Sequence, residues 1–432
     1  MRVITAKRAP PAQGGGGSAP AWVAGINTFP SWSQIANGTG SGNAGGAKLA
    51  SVIQSPGCSN PNGGWGHANA VLDSYTGMTV DQTRKEAIIA AGGGHSDGAN
   101  NGCYALSLGT DTPAWRCLVD STPDANLGAL NVDNNQGRFD DGRPRSMHAS
   151  NICWAGGAGV TTPRVWFPMQ SSITSDNGGH ADNVLSFDRE SLGAGTTPLA
   201  WTNANIGPWT FWGSSNQNTN TYGFGAGLFD SVNKQIIAVN CAGGSFGVWW
   251  QKIPVTGPSE GVSTAYNDTG IDVNLCWAQI CPDLGIVVAG DSDFDRVCVL
   301  NIATNTWVAP SQSGTPYTPY TGSGNYIGVV YIPASRSLVL LDPKNAGSTY
   351  YKLAIPVSGS SYNPAGTWVW SSGTMSGYPT IAAGDYGNDV QAEWTSSKFN
   401  KIEDIGDGTS VLMLPTSINR PTYVSKVPSG GI

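Results

Sequence analysis

Apolar residues in this chain come in short runs closed by turn residues, and three kinds of run recur in a fixed order. The first kind follows a basic or turn residue: Lys85-EAIIAAGGG, Arg164-VWFPM, Lys234-QIIAVNCAGG, Asp283-LGIVVAGD, Arg336-SLVLLD and Lys401-IEDIGDG. Each is too short for a helix, is mostly rich in Ile and Val, and stops at Gly or Asp, so each predicts a buried strand. The second kind follows after a turn: Cys103-YALSL, Asn183-VLSFD, Val248-WWQKIPV, Val297-CVLNI, Tyr350-YKLAIPV and Tyr423-VSKVP. Apolar and polar positions alternate in several of these, as in the next strand of a hairpin.

The third kind is a Trp just after a turn, at Trp115, Trp201, Trp307 and Trp368; the third unit has none. A further pair, Asn151-Ile-Cys-Trp154-Ala and Asn274-Leu-Cys-Trp277-Ala, marks a strand that precedes the others. Four strands per unit, recurring every few tens of residues, is the sequence sign of propeller blades. The N-terminal Phe29-Pro-Ser-Trp32-Ser-Gln-Ile reads as an outermost strand with no blade before it, and the last unit ends near Val427 without such a strand. Joining the two closes the ring and leaves no open sheet edge at the seam. The expectation is an all-β, six-bladed propeller over 29–428, closed by an N-terminal strand and preceded by a flexible arm, 1–28.

Composition agrees. With 59 Gly and 27 Pro but 16 Trp and 14 Tyr, the chain has turn residues in abundance and enough aromatic surface to build a core, although only 12% of residues are charged. No apolar stretch is long enough for a membrane helix. The first residues develop no apolar signal core, so no secretory leader is expected. Eight cysteines, at 58, 103, 117, 153, 241, 276, 281 and 298, are too sparse for a disulfide scaffold and sit mostly in apolar runs, which predicts buried thiols. Arg2, Lys7, Arg8 and Lys48 precede the first acid, Asp73. The net charge of −7 therefore leaves −11 for the rest, which opposes nucleic-acid binding by the body.

The order of apolar strand, Gly-Gly turn, Tyr strand, turn and Trp resembles the kelch motif, best in Gly92-Gly93-Gly94 with Tyr104 and Trp115. The double Gly recurs at 178–179 and 243–244 and is absent from later units. The resemblance implies a propeller whose face loops bind a partner. Galactose-oxidase-like members of that superfamily hold copper with Tyr and His, including adjacent Tyr-His. Here His67, His95, His148 and His180 all lie before residue 181, and none follows a Tyr. A copper site on the axis would draw ligands from several blades, so no metal and no cofactor is expected.

Candidate binding residues are His95 and Asp97, and His180 and Asp182, in Gly-His-x-Asp turns at equivalent places of units one and two. A His two residues before an Asp can form an imidazole–carboxylate pair that orients a ligand or a base. The competing reading is that both pairs satisfy backbone groups in a Gly-rich turn. Asp291-Ser-Asp293-Phe-Asp295 has alternate acids but lacks the Gly and Glu of a calcium loop. No serine-hydrolase elbow, P-loop or zinc-protease motif occurs.

The functional expectation is a non-enzymatic virion surface or appendage protein, as on a tailed phage. Its arm would join neighbouring virion proteins, and its propeller would bind a host glycan or receptor. Two alternatives stand beside it. One is a carbohydrate-active enzyme with carboxylates on one propeller face. The other is a cytoplasmic kelch-type protein-interaction module.

Overall fold

A computed structural model describes residues 18–35, 48–53, 71–72, 76–90, 100–119, 121, 152–168, 183–188, 209–214, 225–240, 248–268, 275–291, 297–315, 327–341, 347–378, 398–416 and 420–432. A one-turn helix, α1 (Ala21–Ala24), and a short strand, β1 (Ser33–Gln34), open it. Blade one is β2 (Thr79–Asp81), β3 (Glu86–Ala90), β4 (Cys103–Ser107) and β5 (Ala114–Val119). Blade two is β6 (Cys153–Ala155), β7 (Arg164–Phe167), β8 (Asn183–Asp188) and β9 (Trp209–Ser214). Blade three is β10 (Gly225–Asp230), β11 (Gln235–Asn240), β12 (Val248–Pro254) and β13 (Thr264–Asp268). Blade four is β14 (Leu275–Cys281), β15 (Ile286–Asp291), β16 (Val297–Asn301) and β17 (Thr306–Val308).

Blade five has an extra edge piece, β18 (Gln312–Ser313), before β19 (Gly328–Ile332), β20 (Ser337–Leu341) and β21 (Thr349–Ala354). A small hairpin, β22 (Val357–Ser358) and β23 (Ser361–Tyr362), then leads to the outer strand β24 (Trp368–Thr374). Blade six is β25 (Asn400–Ile402), β26 (Val411–Leu414) and β27 (Tyr423–Lys426), and its fourth strand is β1. The innermost strands touch in cyclic order, β2, β6, β10, β14, β19, β25 and back to β2, so the ring is closed. Six blades closed by the N-terminal strand is the architecture the strand pattern predicts.

The second strand of a blade is covered on both faces by neighbouring blades, which is why it reads as an unbroken apolar run. Strands β3 and β20 are buried at every position. The basic residue before such a run also has a local cause. Asp81 Oδ1 accepts the backbone N–H groups of Thr83 and Arg84, and Asp230 Oδ1 those of Val232 and Asn233. These Asx turns end on a left-handed residue, Lys85 (φ 58°) or Lys234 (φ 55°), and the chain then enters the second strand. Arg336 (φ 48°) and Gly285 (φ 68°) close the equivalent turns of blades five and four.

The strand ends joined by the first-to-second and third-to-fourth connections lie at one end of the ring, called here the hairpin face. The other connections leave from strand ends at the opposite face, called the loop face, and span 36–78, 91–102, 120–152, 168–182, 215–224, 241–247, 269–274, 292–296, 309–327, 342–348, 375–399 and 415–422; within 309–327, β18 runs beside the start of β24. At each blade boundary a hydrogen bond supplements apolar packing. The Trp154 N–H donates to Thr79 Oγ1, Gln251 Nε2 to the Pro168 carbonyl, and Lys252 Nζ to the Ile302 carbonyl. Tyr331 OH donates to Asp283, Lys401 Nζ to the Tyr331 carbonyl, and Asn400 Nδ2 to the Met78 carbonyl.

Register corrects two sequence-based placements. Trp115, Trp307 and Trp370 pair in register with Leu106, Leu300 and Leu353 of their third strands, and Trp209 pairs with Phe187. In unit two that register position is held by Trp209, and Trp201 lies outside the described residues. In unit five it is Trp370, two residues beyond Trp368. In blade three, Trp250 of the third strand stacks on Tyr266 of the fourth at 4.2 Å and fills the aromatic slot from the other side. Lys401-Ile402 belongs to the innermost strand of blade six; the equivalent second strand is β26.

The seam is tied by more than β1. Ser33 pairs with Val424 and Gln34 with Tyr423. Upstream, Trp22 Nε1 donates to the Leu108 carbonyl in blade one, while Val23 and Ile26 are buried among Ile402, Ile405 and Val411 of blade six. Trp32 packs between blades five and six, and its Nε1 donates to Met375 Sδ at 3.2 Å. Residues 18–28, expected as part of a flexible arm, are therefore docked: Val23 and Ile26 are buried and Trp22 packs against the same cluster.

Candidate functional site

The four binding residues expected from the sequence, His95, Asp97, His180 and Asp182, lie outside the described residues. The strands at their roots are described. The first Gly-His-x-Asp segment joins β3 to β4 in blade one, and the second joins β7 to β8 in blade two. Both connections therefore leave the second strands of adjacent blades at the loop face. Their roots are fixed. Asn100 Oδ1 accepts the Gly102 N–H at 2.9 Å and Tyr104 OH at 3.1 Å, and all three residues are buried. Buried Gln251, on β12 of blade three, holds the Pro168 carbonyl at 2.7 Å.

A second polar cluster, which sequence reasoning missed, lies at the hairpin face where blades four, five and six meet. Tyr331 OH donates to Asp283 Oδ2 and accepts from Arg336 Nη1, both at 3.3 Å. Arg336 also forms an ion pair with Asp283. Lys401, whose side chain is 6% exposed, donates to the Tyr331 carbonyl at 2.6 Å and pairs with Glu403 at 2.8 Å. Gln82 of blade one completes the chain of contacts, donating to the Lys401 carbonyl and accepting the Glu403 N–H. Its members are scattered from Gln82 to Glu403 in sequence, and the basic residue before each apolar run was the one trace of them.

This cluster ties blades four, five, six and one together. Burial pushes the Tyr331 phenol and the Cys281 thiol beside it well above their ordinary ranges; for Cys281 this outweighs the opposing pull of Lys401 and Arg336. Both groups stay protonated at neutral pH, so neither is a ready nucleophile. The raised Tyr331 pKa has a consequence for stability. The unfolded phenol ionises near its ordinary value of 10.0 while the folded one does not. Stability is therefore undiminished below that pH and falls as pH rises through it. Tyr331→Phe is expected to cost about 1 kcal/mol at neutral pH, the worth of its hydrogen bonds. It should also flatten the alkaline decline, as measured by urea unfolding at neutral pH and about pH 11.

Among the described residues no group of three or more His, Cys, Asp or Glu is placed to hold a metal. The side chains of Cys103, Cys117, Cys153, Cys281 and Cys298 are buried. No helix among the described residues is long and apolar enough to cross a membrane.

No protein-family model matches the chain, and no curated protein matches it. It shows likeness to solved structures at low identity. The major Malassezia sympodialis allergen Mala s 1 is 9% identical over 83% of this chain and 93% of that one, with a TM-score of 0.42. The Cps50 (Swd1) β-propeller domain of Myceliophteria thermophila is 8% identical over 84% and 87%, at 0.39. A β-1,3-galactosidase of glycoside hydrolase family 43 is 10% identical over 66% and 54%, at 0.34. The six-bladed assignment rests on the strand pairing of this chain itself.

Proposed function

We propose that this chain is a non-enzymatic, kelch-like binding propeller, a surface or appendage protein of a tailed-phage virion that meets a host glycan with its loop face. The difference between the two faces carries this reading. Most hairpin-face turns are short, and several are locked by Asx hydrogen bonds and cross-blade ties. The longest connections, 36–78, 120–152 and 375–399, belong to the loop face, and long connections on a rigid scaffold are where binding residues concentrate. Taken together, the loop-face connections hold all four histidines of the chain, including His95 and His180 with Asp97 and Asp182.

Charge narrows the partner. The loop-face connections contain sixteen Asp and Glu against eight Lys and Arg. That excess repels polyanions, including nucleic acids and sulfated or sialylated glycans, and is compatible with a neutral glycan. The low overall charge and the abundance of Gly, Ser, Thr and Asn suit a particle exterior. The test is a glycan array probed with the full chain. Retention of neutral glycans without cleavage, reduced about tenfold by His95→Ala with His180→Ala, is the expected result. Release of shortened saccharides would instead establish the enzyme reading, and no retention on any glycan would remove the glycan from it.

A further inference from the structure

We infer that Met375 is a redox-sensitive latch on the seam of the ring, and that its oxidation by a hydroperoxide loosens the docked N-terminal segment 18–35. Such a latch is independent of what the loop face binds. Blade five grips the closing segment through two consecutive residues just past β24. The Trp32 backbone N–H donates to the Ser376 carbonyl at 2.8 Å, the Ser376 N–H donates to the Pro30 carbonyl at 3.2 Å, and the Ser31 and Ser376 hydroxyls meet at 2.7 Å. Beside them, Trp32 Nε1 donates to Met375 Sδ at 3.2 Å. Met375 is itself fixed, its N–H donating to the Ser348 carbonyl at 2.7 Å.

Place and packing single out this methionine. Its side chain lies in the apolar cluster with Phe29, Trp32 and Phe399, yet its chain neighbours Thr374 and Ser376 are exposed, so the thioether sits just under the blade rim. Met413, by contrast, is on the second strand of blade six and wholly buried, and Met78 abuts the innermost strand of blade one. In the reaction a sulfur lone pair attacks one peroxide oxygen. An S–O bond forms and the O–O bond breaks. The transferred oxygen gives up its proton to the departing one, which leaves as water or an alcohol, and sulfur loses the two electrons that the peroxide gains.

The sulfoxide does not fit the seam as the thioether does. An oxygen set between sulfur and indole needs roughly 4 Å from Sδ to Nε1, one S–O bond plus one N–H···O hydrogen bond, against the 3.2 Å present. Turned away from the indole, the oxygen puts a strong dipole among apolar side chains and leaves the Trp32 N–H without its acceptor. Either arrangement disturbs a close-packed wedge between blades five and six, where small shifts are felt.

The test treats the full chain with hydrogen peroxide and maps oxygen uptake by peptide mass. Uptake at Met375 should lower the melting temperature by at least about 3 °C. It should also speed chymotryptic cleavage after Trp32 by more than about tenfold. Methionine sulfoxide reductase should reverse both effects. Met375→Leu keeps the apolar volume, and peroxide should leave its melting temperature and cleavage rate unchanged. If that variant does not fold, a peroxide titration of the parent chain decides: both losses must rise in step with oxygen at Met375 and not with oxygen at the other methionines. Three results would overturn the latch. Met375 could stay reduced while Met78 and Met413 take up oxygen, its sulfoxide could leave melting and cleavage unchanged, or Met375→Leu could lose as much under peroxide as the parent.

Discussion

Trp32→Ala is expected to lower the stability of the chain by roughly 3–5 kcal/mol, as other deletions of a fully buried large side chain do. Trp32 is 2% exposed and lies in an apolar cluster with Val330, Ile332, Leu412 and Leu414, contributed by blades five and six. Its ring meets Phe29, Tyr378 and Phe399 at centroid distances of 6.1, 6.0 and 6.2 Å, in edge-on or tilted arrangements that favour aromatic pairs. Truncation to alanine would leave a cavity bordered by two blades and by the strand that closes the ring. It would also strand Met375 without its N–H partner. The loss falls at a seam made by residues almost the whole chain apart, so it should appear as a lower midpoint of a cooperative transition in denaturant. A loss well under 1 kcal/mol would mean that the N-terminal segment does not share the core.

The parts of the fold most legible in the sequence are the second and third strands of the blades. In both, burial forces an apolar run or an alternation that survives without knowledge of neighbours; β3, β11, β15 and β20 are examples. The outermost strands are harder to read because one side faces solvent, so a single aromatic residue is their main mark. Trp201 and Trp209 each follow a proline closely in sequence, Pro198 and Pro208, and only pairing register shows that Trp209 holds the outer-strand position. The sixth unit is deceptive for a related reason. Its innermost strand is so short that Lys401-Ile402 and the turn after it imitate a second strand.

The candidate site was legible in part. The Gly-His-x-Asp repetition is a local signal and could be found by eye, although His95, Asp97, His180 and Asp182 lie outside the described residues. The Asp283–Tyr331–Arg336–Lys401 cluster has no local signal, because blade closure alone brings its members together. The docking of residues 18–28 is hidden from the sequence for a similar reason. Val23 and Ile26 look like isolated apolar residues until blade six supplies Ile405 and Val411 for them to pack on.

The central claim is that β1 closes the ring against β27, and a cross-link reads it directly. The Ile35 N–H donates to the Thr422 carbonyl, so by antiparallel alternation Gln34 and Tyr423 are a pair without mutual backbone hydrogen bonds, the type with the closer Cα atoms. Their side chains already meet, Gln34 Nε2 donating to Tyr423 OH at 2.8 Å. Gln34→Cys with Tyr423→Cys should therefore oxidise to a single intramolecular disulfide under mild conditions, and each single variant should not. Because the bond would enclose most of the chain, the loop-entropy limit on its stabilisation is about 5–6 kcal/mol, with strain subtracting from that. The account predicts near-complete cross-linking of the native protein and a higher melting temperature. An unlinked native protein, or linkage only between separate chains, would contradict a ring closed by its own N-terminal strand.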